Sequence, residues 1–242
     1  MTDDAVLLAR LLADESAFFA RFQPIVDLST DRCVGRMSSL HAHTADGEMA
    51  PLDIFLAAPD DATAARLDLL GRTTAIRDAA GWIGDQLLFV RLLGEVLSSP
   101  VDALEGMVDA AAAAGLGMRQ LVVEVQLANG RDLLGHLARV VTRCRGAGLP
   151  VAVAYADDAE DVHDTISMLA PDYIKLDRSL VYARADDAAA VVDAAHKVGA
   201  KVVAFGLESS AQVDAARSRG ADWGQGWHFG RPELPPTADI AS

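Results

Sequence analysis

The stretch Pro150-Val151-Ala152-Val153-Ala154-Tyr155, followed by an amphipathic run over 158–169 and then by Tyr173-Ile174-Lys175-Leu176-Asp177, reads as strand, helix, strand. Each apolar run is too short for a helix and rich in small or β-branched residues, whereas the interval between them has helical periodicity. A helical connection of that length joins parallel strands. The same alternation extends outward. Apolar runs at Leu87–Leu92, Leu121–Val125, Lys201–Phe205 and Gly224–His228 are separated by helical segments around 102–115, 131–147, 186–197 and 209–219. Steady alternation of strand and helix predicts an α/β fold, a TIM-like (β/α) barrel of parallel units.

Upstream, Phe22–Leu28, a Ser29-Thr30-Asp31 turn and Cys33–Leu40 predict an opening β-hairpin. Residues 3–20 carry Val6, Leu7, Leu11, Leu12, Phe18 and Phe19 among charged residues, a pattern that predicts N-terminal amphipathic helix plugging one end of the barrel. Leu52–Trp82 reads as helix in two pieces broken near Pro59-Asp60-Asp61, where proline disfavours helix and aspartate caps the next one. Residues 1–242 read as a single domain, since 242 residues suit one barrel.

Composition supports a core of aliphatic side chains, as in a parallel sheet covered by helices: hydrophobic residues make up 51% and aromatics only 5%. The formal net charge of −14 disfavours a nucleic-acid partner, which needs clustered Lys and Arg. No apolar run approaches the ~20 residues that span a bilayer, so no membrane association and a cytoplasmic location are expected. Cys33 and Cys144 form no CxxC pair and read as reduced structural residues. The six histidines lack HExxH spacing, with His41 and His43 read as loop residues, and no zinc site is indicated. The run Asp157-Asp158-Ala159-Glu160-Asp161 reads as a helix start favoured by the macrodipole.

In barrels of this type the functional residues project from the C-terminal ends of strands. Three stretches carry further information: Gln23-Pro24-Ile25-Val26-Asp27, Asp172-Tyr173-Ile174-Lys175-Leu176-Asp177-Arg178 and Gln225-Gly226-Trp227-His228-Phe229-Gly230-Arg231-Pro232. In order and spacing they resemble the EAL-domain family, and the resemblance covers roughly residues 15–233. It implies a barrel of the EAL type with an opening hairpin. Members with the full motif set are phosphodiesterases that hydrolyse cyclic di-GMP with divalent metals.

The resemblance also assigns the site, and the acids it calls for are largely replaced. Met37 stands for the metal-binding Glu of the opening motif, and His41 for an Arg associated with the ligand phosphate. Arg91 falls on a metal-binding Asn. Glu124 is kept. Ala154 and Tyr155 stand for two aspartates, unless the register shifts by three residues to use Asp157-Asp158. Lys175 and Asp177 are kept, on one inward face by the two-residue period. Phe205 replaces a Glu, Glu208 is kept, and Gln225 matches the last site position. A thioether is a poor ligand for Mg²⁺, and a guanidinium binds no metal.

The expectation is therefore a vestigial site, with no metal, no cofactor and no catalytic residue: a chain that is not an enzyme. It would act as a regulatory protein-interaction module, with an unidentified protein partner or a second copy of itself. Cyclic di-GMP is disfavoured as a ligand. The alternatives are a receptor that binds it without hydrolysis, through Arg36, His41 and Arg91, and residual phosphodiesterase or lysine-dependent chemistry in which Lys175 acts as a Schiff-base nucleophile. A last expectation concerns charge. Arg91, Glu124, Lys175 and Asp177 sum to zero, and a buried Arg91–Glu124 pair would cost roughly 3–5 kcal/mol to break.

Overall fold

Strands buried on both faces need hydrogen-bonded neighbours on both edges, and here the sheet supplies them by closing on itself. In the computed structural model, residues 3–93, 100–126, 131–155, 162–179 and 185–236 are described. The strands are β1 (Phe18–Asp27), β2 (Cys33–Thr44), β3 (Gly47–Met49), β4 (Leu87–Leu92), β5 (Leu121–Gln126), β6 (Val151–Tyr155), β7 (Tyr173–Asp177), β8 (Lys201–Phe205) and β9 (Trp223–Gln225). They lie in the order β1-β9-β8-β7-β6-β5-β4-β2-β3, and a further β1–β2 pairing closes the ring. With β3 attached outside the ring, the barrel has eight strands. β1 runs antiparallel to β2 and β9, and the rest of the ring is parallel.

The helices are α1 (Asp3–Leu11), α2 (Pro51–Leu56), α3 (Asp61–Ala79), α4 (Pro100–Ala114), α5 (Arg131–Gly146), α6 (Val162–Leu169), α7 (Ala185–Lys197) and α8 (Ser210–Ser218). The expected break between α2 and α3 is present: Asp60 caps α3 by accepting from Thr63 N at 2.8 Å.

The two-residue period sorts each strand into two layers. Ile25, Met37, Phe89, Val122, Ala152, Val203 and Trp223 pack inside the barrel. Their alternates, among them Val90, Val123, Val153, Ile174 and Ala204, pack outward against the helices. A third cluster joins α1, α2 and α3 to the hairpin through Leu8, Phe18, Leu40, Ile54 and Leu67.

Two expectations for the N-terminal part are corrected. α1 ends at Leu11, and Phe18 and Phe19 belong to β1. α1 covers the outer face of the hairpin instead of plugging the barrel, because its Leu8, Leu11 and Leu12 find their apolar surface there. The return strand runs on from Leu40 to Thr44, since β3 pairs with its end, so His41 and His43 are strand residues and not loop residues. The acidic run from Asp157 lies outside the described residues, as does the three-residue register alternative that depends on it.

Gly226 marks the tightest approach at the mouth. A Cβ there would lie 2.0 Å from Leu207 O and 2.3 Å from Leu207 N, both backbone atoms. Leu207 N in turn donates to Gln225 O, and His228 N to Leu207 O, both at 3.0 Å. Gly226→Ala is expected to cost about 3 kcal/mol or more in urea denaturation, because rigid backbone must move; a loss below about 1 kcal/mol would contradict this packing.

Candidate functional site

Continuing the inward register one step beyond the apolar layer brings Arg91, Glu124, Ala154, Lys175 and Phe205 to the C-terminal ends of five consecutive strands. Glu124 and Lys175 are almost completely buried, each with 3% of its side chain exposed, and Lys175 Nζ donates to Glu124 Oε2 at 2.5 Å. Arg91 Nε and Nη2 both reach Glu124 Oε1 at 3.3 Å. Lys175 Nζ also lies 5.3 Å from the centre of the Phe205 ring, a cation–π contact.

These contacts set the ionisation. Burial pushes the Glu124 carboxyl up, but Lys175 and then Arg91 outweigh it and hold it below the usual carboxylate value of 4.5. Burial lowers Lys175 from 10.5, and the attraction of Glu124 recovers only part of that shift. With two cations at bonding distance, the Glu124 carboxylate is ionised at neutral pH.

The remaining residues divide. Gln225 is buried and its Nε2 donates to Gln23 Oε1 at 2.7 Å, while Gln23 Nε2 donates to Gly230 O at 3.0 Å. Gln225 Oε1 is left without a partner. Gln23 was not singled out from the sequence as a site residue, although its Gln-Pro-Ile stretch carried the signal. Met37 packs in the inner layer. Asp177 does not reach Lys175; its Oδ1 accepts from Ser179 N at 2.8 Å and caps the turn. Glu208 also stands apart, exposed and paired with Arg178. Tyr155 closes β6 opposite Leu176 through its backbone, and its side chain lies outside the described residues.

His41 sits on the hairpin, with Nε2 3.0 Å from Ser39 Oγ and Nδ1 2.5 Å from Glu48 Oε1. Burial lowers its pKa below 6.5, against the pull of Glu48, so the imidazole is neutral at neutral pH. Arg36 is a correction. It alternates with inward Met37 and therefore faces outward, where its Nε donates to Gln86 Oε1 at 3.1 Å and its guanidinium lies over Trp82. It is no candidate for ligand contact at the mouth.

Arg91 is a second correction. Its side chain is 57% exposed, so its bond to Glu124 is the outer and longer half of the cluster, and the buried pair is Glu124–Lys175. Beside Arg91, a cavity of about 810 Å³ extends from the mouth toward α2 and α3, lined by Gln23, Met37, Ser39, Phe55 and Gln225 among others.

The divalent ions implied by the resemblance are a poor match to this donor set. Met37, Arg91, Ala154 and Phe205 offer no side-chain oxygen, and Glu124 is already held by two cations. Among the described residues no group of three or more His, Cys, Asp or Glu converges for a metal. No helix among the described residues is long and apolar enough to cross a membrane.

Comparison with known proteins adds the family. The profile of the EAL domain matches residues 7–232. A probable cyclic di-GMP phosphodiesterase, PdeB of Escherichia coli K12, is 26% identical over 221 residues, covering 87% of this chain and 42% of the relative. The signaling protein YkoW of Bacillus subtilis is 23% identical over 95% of this chain and 30% of its own length. The chain thus spans less than half of these curated relatives. Among solved structures, YkuI of Bacillus subtilis, in complex with cyclic di-GMP and calcium, superposes with a TM-score of 0.83 at 18% identity, covering 98% of this chain and 60% of that one. The EAL domain of FimX from Pseudomonas aeruginosa, bound to cyclic di-GMP, gives 0.82 at 20% identity over 95% and 96%.

These matches overturn the expectation that the chain is not an enzyme, because its relatives include a probable cyclic di-GMP phosphodiesterase. The physical reason the inference failed is that residue types at aligned positions do not measure turnover.

The site generates a stability prediction. Lys175→Met leaves Glu124 buried without its short partner and is expected to cost roughly 3–5 kcal/mol, with much of it recovered in Glu124→Gln/Lys175→Met. Arg91→Ala, on an exposed and longer contact, is expected to cost less than about 1 kcal/mol. Because the folded pKa of Glu124 lies below 4.5, its contribution is present above that value and is lost as pH falls through the folded pKa. Urea titrations of the three variants between neutral and acid pH check this, and an Arg91→Ala loss as large as that of Lys175→Met contradicts it.

Proposed function

Because the chain belongs to the EAL domain family, we propose that it is a regulatory module of cyclic di-GMP signalling that acts through contact with a protein partner. The observation that carries this reading is that both oxygens of Glu124 are engaged by the chain's own cations. Its two oxygens are taken by Lys175 and Arg91, so the charge at the strand ends is balanced by the chain's own side chains. Internal ion pairs that balance the charge at the strand ends make the rim a stable platform, and the acidic composition favours protein partners over nucleic acid. Fold alone does not assign the role; the arrangement of these charges supports it.

A second reading is favoured by one specific observation. The Arg91 guanidinium is 57% exposed at the edge of the 810 Å³ cavity, where a phosphate would meet it. In that reading the mouth receives cyclic di-GMP, the nucleotide carried by the YkuI and FimX structures.

Calorimetric titration of the protein with cyclic di-GMP, beside immunoprecipitation from the native host with quantitative mass spectrometry, separates the two. The first reading expects one partner recovered reproducibly and no saturable heat below about 10 μM nucleotide, or ~7 kcal/mol of binding. Saturable heat in that range, weakened by Arg91→Ala, replaces it with the second.

A further inference from the structure

α2 turns apolar side chains the wrong way for a helix that only packs on the core. Ile54 is fully buried against Leu67 and Leu70, which anchors one face of α2. On another face Leu52 and Leu56, four residues apart and adjacent on a helix surface, are 69% and 74% exposed. They are the two most exposed large apolar side chains among the described residues. Pro51 at the first turn and the Asp60 cap on α3 fix the helix and the turn that follow, so this presentation is held by local structure.

The ridge borders the cavity beside the mouth. Leu52, Phe55, Pro59 and Ala64 line its α2 and α3 side, which makes that side an apolar groove. On this α2 and α3 side stand Asp53, Asp60 and Asp61, all exposed, whereas the exposed Arg91 lines the cavity at the barrel mouth. None of the three enters an ion pair among the described residues. Asp60 accepts only from Thr63 N and Oγ1 and keeps its charge.

We propose that this acid-rimmed groove is the surface that takes the protein partner, and that the partner's segment is a basic amphipathic helix. Apolar side chains one turn apart would lie on Leu52, Phe55 and Leu56, while Lys or Arg beside them would meet Asp53, Asp60 and Asp61. Charge selects this occupant over a second copy of the chain. A copy carries the same acids on the same ridge and a formal net charge of −14, so self-docking places like charges together. The proposal rests on the protein-partner reading given above.

The test is fluorescence anisotropy with a labelled synthetic helix of about five turns built from leucine and lysine, beside the same helix with glutamate for lysine. Saturable binding of the lysine helix is expected, at least about tenfold weaker to Leu52→Ser/Leu56→Ser. It should also weaken with added salt and in Asp53→Asn/Asp61→Asn. All four substituted residues are exposed, so the variants are expected to fold. Equal binding of the glutamate helix, unchanged binding by the leucine variant, or no binding overturns the proposal. Photo-crosslinking in the host, from position 56 and separately from exposed Lys197 on α7, distinguishes its failure from that of the reading it rests on. Crosslinks from 197 alone leave a partner but reject this groove; crosslinks from neither reject both.

Discussion

A carboxylate and an ammonium group held 2.5 Å apart, with 3% of each side chain exposed, sit where the strands of a closed barrel end. Neither ion is tolerable there alone, since burial of an unpaired charge is far costlier than burial of the pair. Glu124 comes from β5 and Lys175 from β7, so the pair ties together strands separated by β6 and fixes the top of the barrel interior. Arg91 adds a third charge from β4, turned partly to solvent. The apolar layer beneath, with Val122 and Phe89 at its centre, seals the pair from below.

The consequence for chemistry is a redistribution of charge. An oxygen-rich site recruits divalent cations; here guanidinium and ammonium groups already occupy both oxygens of the retained acid. The mouth is nevertheless open beside this cluster, and its cavity leads away from the barrel axis toward α2 and α3. Hydrogen-bonded Gln23 and Gln225 mark its inner side, and the exposed leucines of α2 its outer flank.

Much of this was legible in the sequence. The alternation of short apolar runs with helical segments marked β4 to β8 and the neighbourhood of β9, because a two-residue and a 3.6-residue period are hard to confuse over repeated units. The same period placed Lys175 inward, and Asp177 with it, whose carboxylate instead caps the following turn. It also implied that Arg36, next to inward Met37, faces outward, a consequence not drawn from the sequence. Other features were hidden for physical reasons. Phe18 and Phe19 suit helix or strand equally, and their strand state depends on pairing with Ala42 and His41 more than twenty residues away. The exposure of Arg91 depends on how far its strand rises above the apolar layer, which periodicity does not report. The apolar ridge of α2 was invisible for a similar reason, since which side of a six-residue helix meets the core is decided by tertiary packing.

The central claim is that Glu124 is neutralised by the chain's own cations. Carbon-13 NMR of the Glu124 side-chain carboxyl, followed through an acid titration and then through addition of Mg²⁺ at neutral pH, tests it most directly. The account predicts a carboxyl that stays ionised below its ordinary value of 4.5 and does not respond to the metal. Titration at or above that value, or a resonance that moves as Mg²⁺ is added, would contradict it.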